Sequence, residues 1–89
     1  MASLEIDLGL DKLRETLESI DKIIKDIKIG SIIDNESYTT LTAFNKELSK
    51  YFIMLSDGSA QFTGSIFDFN SDYEEAKIAE YENRIKAVN

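Results

Sequence analysis

Three carboxylates stand close together early in the chain, at Glu15, Glu18 and Asp21, and three oxygen-bearing side chains alternate later, at Asp68, Asn70 and Asp72. Paired carboxylates can carry general acid–base chemistry. Alternating Asp, Asn and Asp form the first half of a calcium-binding loop, which also needs Gly at its sixth position and Glu at its twelfth. Those two positions hold Tyr73 and Ala79, so the loop fails as a calcium site and reads as a polar helix break with capping acids. Glu15, Glu18 and Asp21 have Lys22 and Lys25 beside them. On a helix, such charges form solvated pairs three and four residues apart. The chain holds no Cys and no His, which removes thiol nucleophiles, disulfides, Cys/His zinc sites and imidazole bases. No enzyme is expected: no catalytic residue, no metal and no cofactor. Asn35-Glu36-Ser37 matches a glycosylation acceptor. It reads as coincidence in a chain that opens without the basic flank and apolar core of a signal peptide.

Seventeen Asp and Glu against ten Lys and Arg leave a net charge of −7. That balance opposes electrostatic binding to nucleic acid or an anionic membrane surface. No apolar run approaches the roughly 20 residues of a membrane-spanning helix. Between Asp68 and Glu82, six acids (Asp68, Asp72, Glu74, Glu75, Glu80, Glu82) face one base, Lys77. An acidic, aromatic stretch of this kind suits a basic protein target. It also suits imitation of nucleic acid, for which −7 is a moderate charge.

The elements that position these residues follow from periodicity. The chain has 89 residues, no Pro and four Gly, which favours long uninterrupted elements. Ile6, Leu10, Leu13, Leu17, Ile20, Ile24 and Ile27 step by 4, 3, 4, 3, 4, 3, the spacing of a coiled-coil seam. A first helix is expected over about 7–28, with Asp7 as its cap, Leu4 and Ile6 as a short arm before it, and Gly30 as its stop. A connection over about 29–36 carries Asp34 or Asn35 as the next cap.

Leu41, Asn45, Leu48, Phe52, Leu55, Ser59, Phe62, Ile66, Phe69, Tyr73 and Ala76 continue a 3/4 register. It predicts one long second helix over about 37–70, bent at Gly58 and Gly64 and interrupted on its seam by Asn45 and Ser59. A rival reading takes Tyr51-Phe-Ile-Met-Leu55 as a strand, Asp57-Gly58 as a hairpin turn and Gly64-Ser65 as a second turn, giving a small α+β domain. Ile78, Tyr81, Ile85 and Val88 repeat at 3, 4, 3 but out of phase with Tyr73 and Ala76. Ser71 with Glu74, and Asp72 with Glu75, have capping-box spacing, so a helix break is expected near Asn70–Asp72. The acidic tail over about 72–88 is then either a separate short helix or a helical extension ordered against a partner.

The register thus predicts an all-α fold: a single domain built as an antiparallel helical hairpin. A lone hairpin leaves apolar surface open, so a second copy or another helical protein is expected to complete a bundle. The expected partner interface is Leu10, Leu13, Leu17, Ile20, Ile24, Ile27, Leu48, Phe52, Leu55, Phe62, Ile66, Phe69 and Tyr73, with Asp72, Tyr73 and Tyr81 as a targeting tail.

The start Met1-Ala-Ser-Leu-Glu-Ile-Asp7, the heptad helix, the Gly30 connection, a second long helix and an acidic Tyr-containing tail together resemble the WXG-type small helical proteins of type VII secretion. The similarity is closest to the small partner proteins of LXG-domain toxins. It spans nearly the whole chain as a pattern, without one diagnostic motif. The Trp-x-Gly turn of that family would fall at Lys28-Ile29-Gly30, where the Gly is present and the Trp is not. Its export pattern, Tyr followed four residues on by an acid, is absent: Lys77 follows Tyr73, Ile85 follows Tyr81, and Phe69 precedes Asp72 by three. The resemblance implies a chaperone-like partner that binds the helical N-terminal domain of a toxin and supports its export, placed in the bacterial cytoplasm before export, with a signal-peptide-independent route open to the chain itself. The other reading is a small acidic antitoxin, immunity or phage-encoded inhibitor protein. A second helix continuous through Gly58 supports the first. Breaks at Asp57-Gly58 and Asn70–Asp72, giving a compact four-helix bundle that buries its own aromatics, support the second.

Overall fold

The computed structural model describes residues 9–86. In chain order they form α1 (Leu10–Ile24), β1 (Ile32–Ile33), α2 (Asn35–Phe44), a 3-10 helix (Lys46–Tyr51), β2 (Phe52–Met54), β3 (Ala60–Phe62) and α3 (Ile66–Lys86). The expected Asp7 cap, the arm at Leu4 and Ile6, and Val88 lie outside the described residues.

α1 follows its heptad register, burying Leu13, Leu17 and Ile20. It ends at Ile24 rather than at Lys28, and the chain then turns through an Ile27 N–H to Ile24 carbonyl bond of 3.2 Å. The turn keeps Ile27 buried although the helix has stopped. Gly30 serves the sheet instead, donating its N–H to the Phe62 carbonyl at 2.8 Å. Asp34 caps α2, its Oδ1 accepting the Ser37 N–H at 2.7 Å. That backbone hydrogen bond holds the Asp34 carboxyl below the ordinary Asp range.

The all-α hairpin is not what forms. The chain is an α+β fold whose three-stranded antiparallel sheet runs β1-β3-β2. Phe52 stands opposite Phe62, Ile53 opposite Gln61 and Met54 opposite Ala60. On the other side, Ile32 meets Gln61 and Ile33 meets Ala60. Three local causes divide the expected helix over about 37–70. Asn45 adopts an extended conformation (φ −151°) and accepts the Glu47 N–H, ending α2 and opening the 3-10 helix. Tyr51 to Leu55 is an uninterrupted apolar run led by two aromatics and a β-branched Ile53, which suits a pleated surface. Asp57-Gly58 then turns the chain: the Gly58 N–H donates to the Leu55 carbonyl at 3.0 Å, and the Leu55 N–H to the Ser59 carbonyl at 2.8 Å. Gly58 sits at φ +89°, the left-handed position of a three-residue hairpin loop. Asp57 Oδ1 accepts from the Ser59 N–H (3.0 Å) and Oγ (2.6 Å), and Asn35 Nδ2 donates to the Gly58 carbonyl at 2.8 Å.

The 3/4 spacing through this region is a coincidence of periods. Phe52, Ala60 and Phe62 reach the core from two strands, where alternate residues share a face. Gly64 then passes flat against Tyr51; a Cβ there would lie 2.5 Å from the ring. Ser65 opens α3 by accepting the Asp68 N–H at 3.3 Å. From there the helix runs unbroken through Asn70–Asp72, so the expected break is absent and the tail is a helical extension, the second half of a 21-residue α3, rather than a separate helix.

The core is one cluster. Phe62 and Phe69 are fully buried, with ring centroids 5.3 Å apart and edge to face. Phe52 stands 5.5 Å from Phe62 and 5.9 Å from Phe69, and Tyr51 stands 5.4 Å from Phe69. Burying each such side chain stabilises the fold by about 1.5–3 kcal/mol before entropy is counted. Leu13, Leu17 and Ile20 of α1, Leu41 of α2 and Leu48 of the 3-10 helix complete it.

Candidate functional site

The residues expected to meet a partner lie mostly inside this core. Leu13, Leu17, Ile20, Ile27, Leu48, Phe52, Phe62, Phe69 and Tyr73 are buried by the chain's own elements. Leu10 and Ile24 are half-buried and pack against the cluster, and Leu55 is half-buried in the hairpin loop. Ile66 is exposed. Of the expected targeting tail, Tyr73 is buried, Asp72 is half-buried and Tyr81 is exposed.

The titratable groups brought together act as struts between elements. The Tyr51 hydroxyl donates to Asp72 Oδ2 at 2.5 Å, and Lys50 Nζ stands 3.3 Å from the same oxygen. The Tyr51 bond, then Lys50, keep the Asp72 carboxyl below its ordinary range. The same bond pushes the Tyr51 phenol up to about 12. Across the core, the Tyr73 hydroxyl donates to Asp21 Oδ1 at 2.8 Å. Burial first, and the Asp21 bond second, push that phenol well above the usual tyrosine value. Each phenol therefore stays protonated and ties α3 to a neighbour. Asp72 is thus spent on Tyr51 and Lys50, away from the alternating Asp68 and Asn70. Asp21 is likewise engaged, while Glu15 and Glu18 stand exposed on α1. Among the described residues, no three of His, Cys, Asp and Glu converge on a point where a metal ion could sit.

An open groove of about 620 Å³ runs between α1, α2 and the end of α3, edged by Lys12, Thr16, Thr39, Thr40, Glu80 and Arg84 among others. Its charges are mixed, and Arg84 is already paired with Glu80 at 3.6 Å.

α3 carries the more distinctive surface. Its inner face buries Phe69, Tyr73 and Ala76, none of them beyond the middle of the helix. The same face then continues into Glu80 and Arg84. On the opposite face, Phe67, Ser71, Glu74, Ile78, Tyr81 and Ile85 step by 4, 3, 4, 3, 4. Four of these are apolar or aromatic and open to solvent: Phe67 is 78% exposed, Ile78 60%, Ile85 53% and Tyr81 37%. A helix with one buried stripe normally shows a polar opposite face; α3 instead moves its apolar stripe from one side to the other near Ala76. The phase change at Ile78 is visible in the sequence. Phe67 is not, because in the sequence it belongs equally to a strand. A smaller exposed pair, Ile32 and Ile53, flanks Gln61 on the outer face of the sheet.

No family model matches the chain, nor does any curated protein or solved structure. Function therefore rests on the geometry of the chain itself. Among the described residues, no helix is long and apolar enough to cross a membrane.

Proposed function

We propose that this chain is a small acidic inhibitor of the antitoxin or immunity type, which binds a basic target protein and blocks it without chemistry of its own. The observation that carries this reading is the closed aromatic core. Phe62 and Phe69 have no exposed surface, and Tyr51, Phe52 and Tyr73 have little. Phe67 and Tyr81 stay exposed, but the other aromatics are covered by the chain's own elements, which supports folding without a partner and leaves partner binding to the outer surface. That surface carries the excess of acid, which steers a basic target and disfavours acidic ones. The hairpin at Asp57-Gly58 supports the same reading, because it replaces the long second helix on which a bundle-completing role depends; the second break expected with it, at Asn70–Asp72, does not form, since α3 runs straight through.

A second reading keeps the resemblance to small partners of LXG-domain toxins, with export support as the role. The exposed stripe on acidic α3, including Tyr81, favours it. The two are separated by co-expression with the product of each adjacent gene. The inhibitor reading expects one product to arrest growth alone, to be harmless beside this chain, and to co-elute with it at fixed stoichiometry. Equal growth with and without the chain, and no complex, overturns it. A complex without toxicity, together with secretion of the neighbour that depends on this chain, selects the second reading.

A further inference from the structure

We infer that the outward face of α3 is the docking site, and that its occupant is a basic amphipathic helix of another protein. This rests on the reading of the chain as a protein-binding module and adds where and what it binds.

Ile78, Tyr81 and Ile85 repeat at three and four residues on the side of α3 that turns away from the core, with Phe67 on the same line at the start of the helix. That spacing accepts a second helix knobs-into-holes along a seam. The flanks decide which helix. On one side of the seam the positions are Asp68, Glu75 and Glu82, all exposed, and none makes an ion pair with another described residue. On the other side they are Lys77 and Arg84, and both are engaged within the chain. Lys77 bonds Glu74 at 3.1 Å and lies 5.1 Å from the centre of the Tyr73 ring. Arg84 pairs with Glu80 and lies over Gly9.

A second copy fits this arrangement poorly. Antiparallel pairing would lay one row of acids on the other, since flanking positions of the same kind meet in that orientation. Parallel pairing would need Lys77 of one copy to reach Glu82 of the other, after leaving Glu74 and Tyr73. Two chains of net charge −7 also repel. A foreign helix with Leu- or Ile-type residues along its seam and Lys or Arg along one flank meets both requirements: it covers the stripe and neutralises the open row of acids.

The test uses the full chain and a synthetic helical peptide with leucines at seam spacing and lysines on the flank. A second peptide of identical composition has its leucines distributed around the helix. Fluorescence anisotropy is read at low and high salt. The seam peptide is expected to bind, more weakly at high salt, and the redistributed peptide at least about tenfold more weakly. Ile78→Glu with Ile85→Glu should remove binding while leaving the thermal melt unchanged. Glu75→Lys with Glu82→Lys should weaken the lysine peptide and create affinity for its glutamate counterpart. Equal binding of both peptides, or indifference to these substitutions, overturns the site.

Two further outcomes also overturn it by naming another occupant. One is a dimer in light scattering that Ile78→Glu converts to monomer. The other is protection of Tyr81 in the peptide-free monomer that is lost on deleting residues 1–8. The toxicity assay stays independent: rescue that survives Ile78→Glu with Ile85→Glu keeps the inhibitor reading and removes this face from it.

Discussion

The two halves of α3 have similar lengths and comparable shares of apolar residues, yet they do opposite things. The first half sends Phe69, Tyr73 and Ala76 into the core and is held from both sides, by Tyr51 on Asp72 and by Asp21 on Tyr73. The second half has Ile78, Tyr81 and Ile85 facing water. Its inward positions, Glu80 and Arg84, form an ion pair between themselves. Apolar content alone therefore does not tell core from surface in this helix. The phase of the apolar positions relative to the neighbouring elements does.

That contrast can be broken at several points. The largest effect is expected for Phe69→Ala in the first half, which empties the ring cluster and should cost about 3–5 kcal/mol in a urea melt. A loss near zero would mean that the cluster does not hold the fold. Gly64→Ala should cost about 1–3 kcal/mol, because the new methyl meets the Tyr51 ring and displaces the strut that anchors the start of α3. Tyr73→Phe keeps the packing and removes the hydroxyl's bond to Asp21, together with its long 3.5 Å contact to the Leu17 carbonyl, for about 1 kcal/mol.

Acid and base probe the Tyr51–Asp72 strut together with the α2 cap and the hairpin turn. The Asp34, Asp57 and Asp72 carboxyls are all depressed in the folded chain. Their contribution is present above the unfolded Asp value of about 3.9 and is lost as pH falls through the lower folded values. Tyr51 is displaced the other way, to about 12. Its contribution holds below the unfolded value of about 10 and disappears as pH rises through the folded one. Circular dichroism against pH should therefore show a plateau that ends on both sides. The smallest effect belongs to the second half of α3: Ile85→Ser should change stability by no more than about 0.5 kcal/mol. A larger loss would place Ile85 in an unrecognised contact and remove the contrast.

Much of α1 was legible in the sequence because a helix is a local object. Leu13, Leu17 and Ile20 announce their buried face by spacing alone, and Asp34 announces α2 by its chemistry. The hairpin was legible as a rival only. Asp57-Gly58 is a strong turn signal, but Phe52, Leu55, Ser59 and Phe62 happen to satisfy helical spacing as well. The choice between the periods depends on β1 pairing with β3, a contact between Ile32 and Gln61 that no local window contains. For the same reason, residues expected at an interface proved to cover one another: Leu48, Phe62 and Leu17 read as seam positions until the elements carrying them are known to meet. The outward stripe left a trace, since Ile78, Tyr81 and Ile85 fall out of phase with Tyr73. What that trace could not convey was the direction each half would face.

The strands are two or three residues long, and that brevity bears on solubility. Tyr51-Phe-Ile-Met-Leu55 is uncharged and rich in β-formers, close to the six- or seven-residue segments that stack into fibrils. In the folded chain only Phe52 to Met54 of that run is extended, so an approaching molecule finds too few open backbone groups to template a growing sheet. Lys50 and Asp57 stand as charged gatekeepers at either end. Resistance to aggregation should then follow the folded population more than surface composition. A core substitution that leaves the outer surface untouched should still raise aggregation, because it exposes this run.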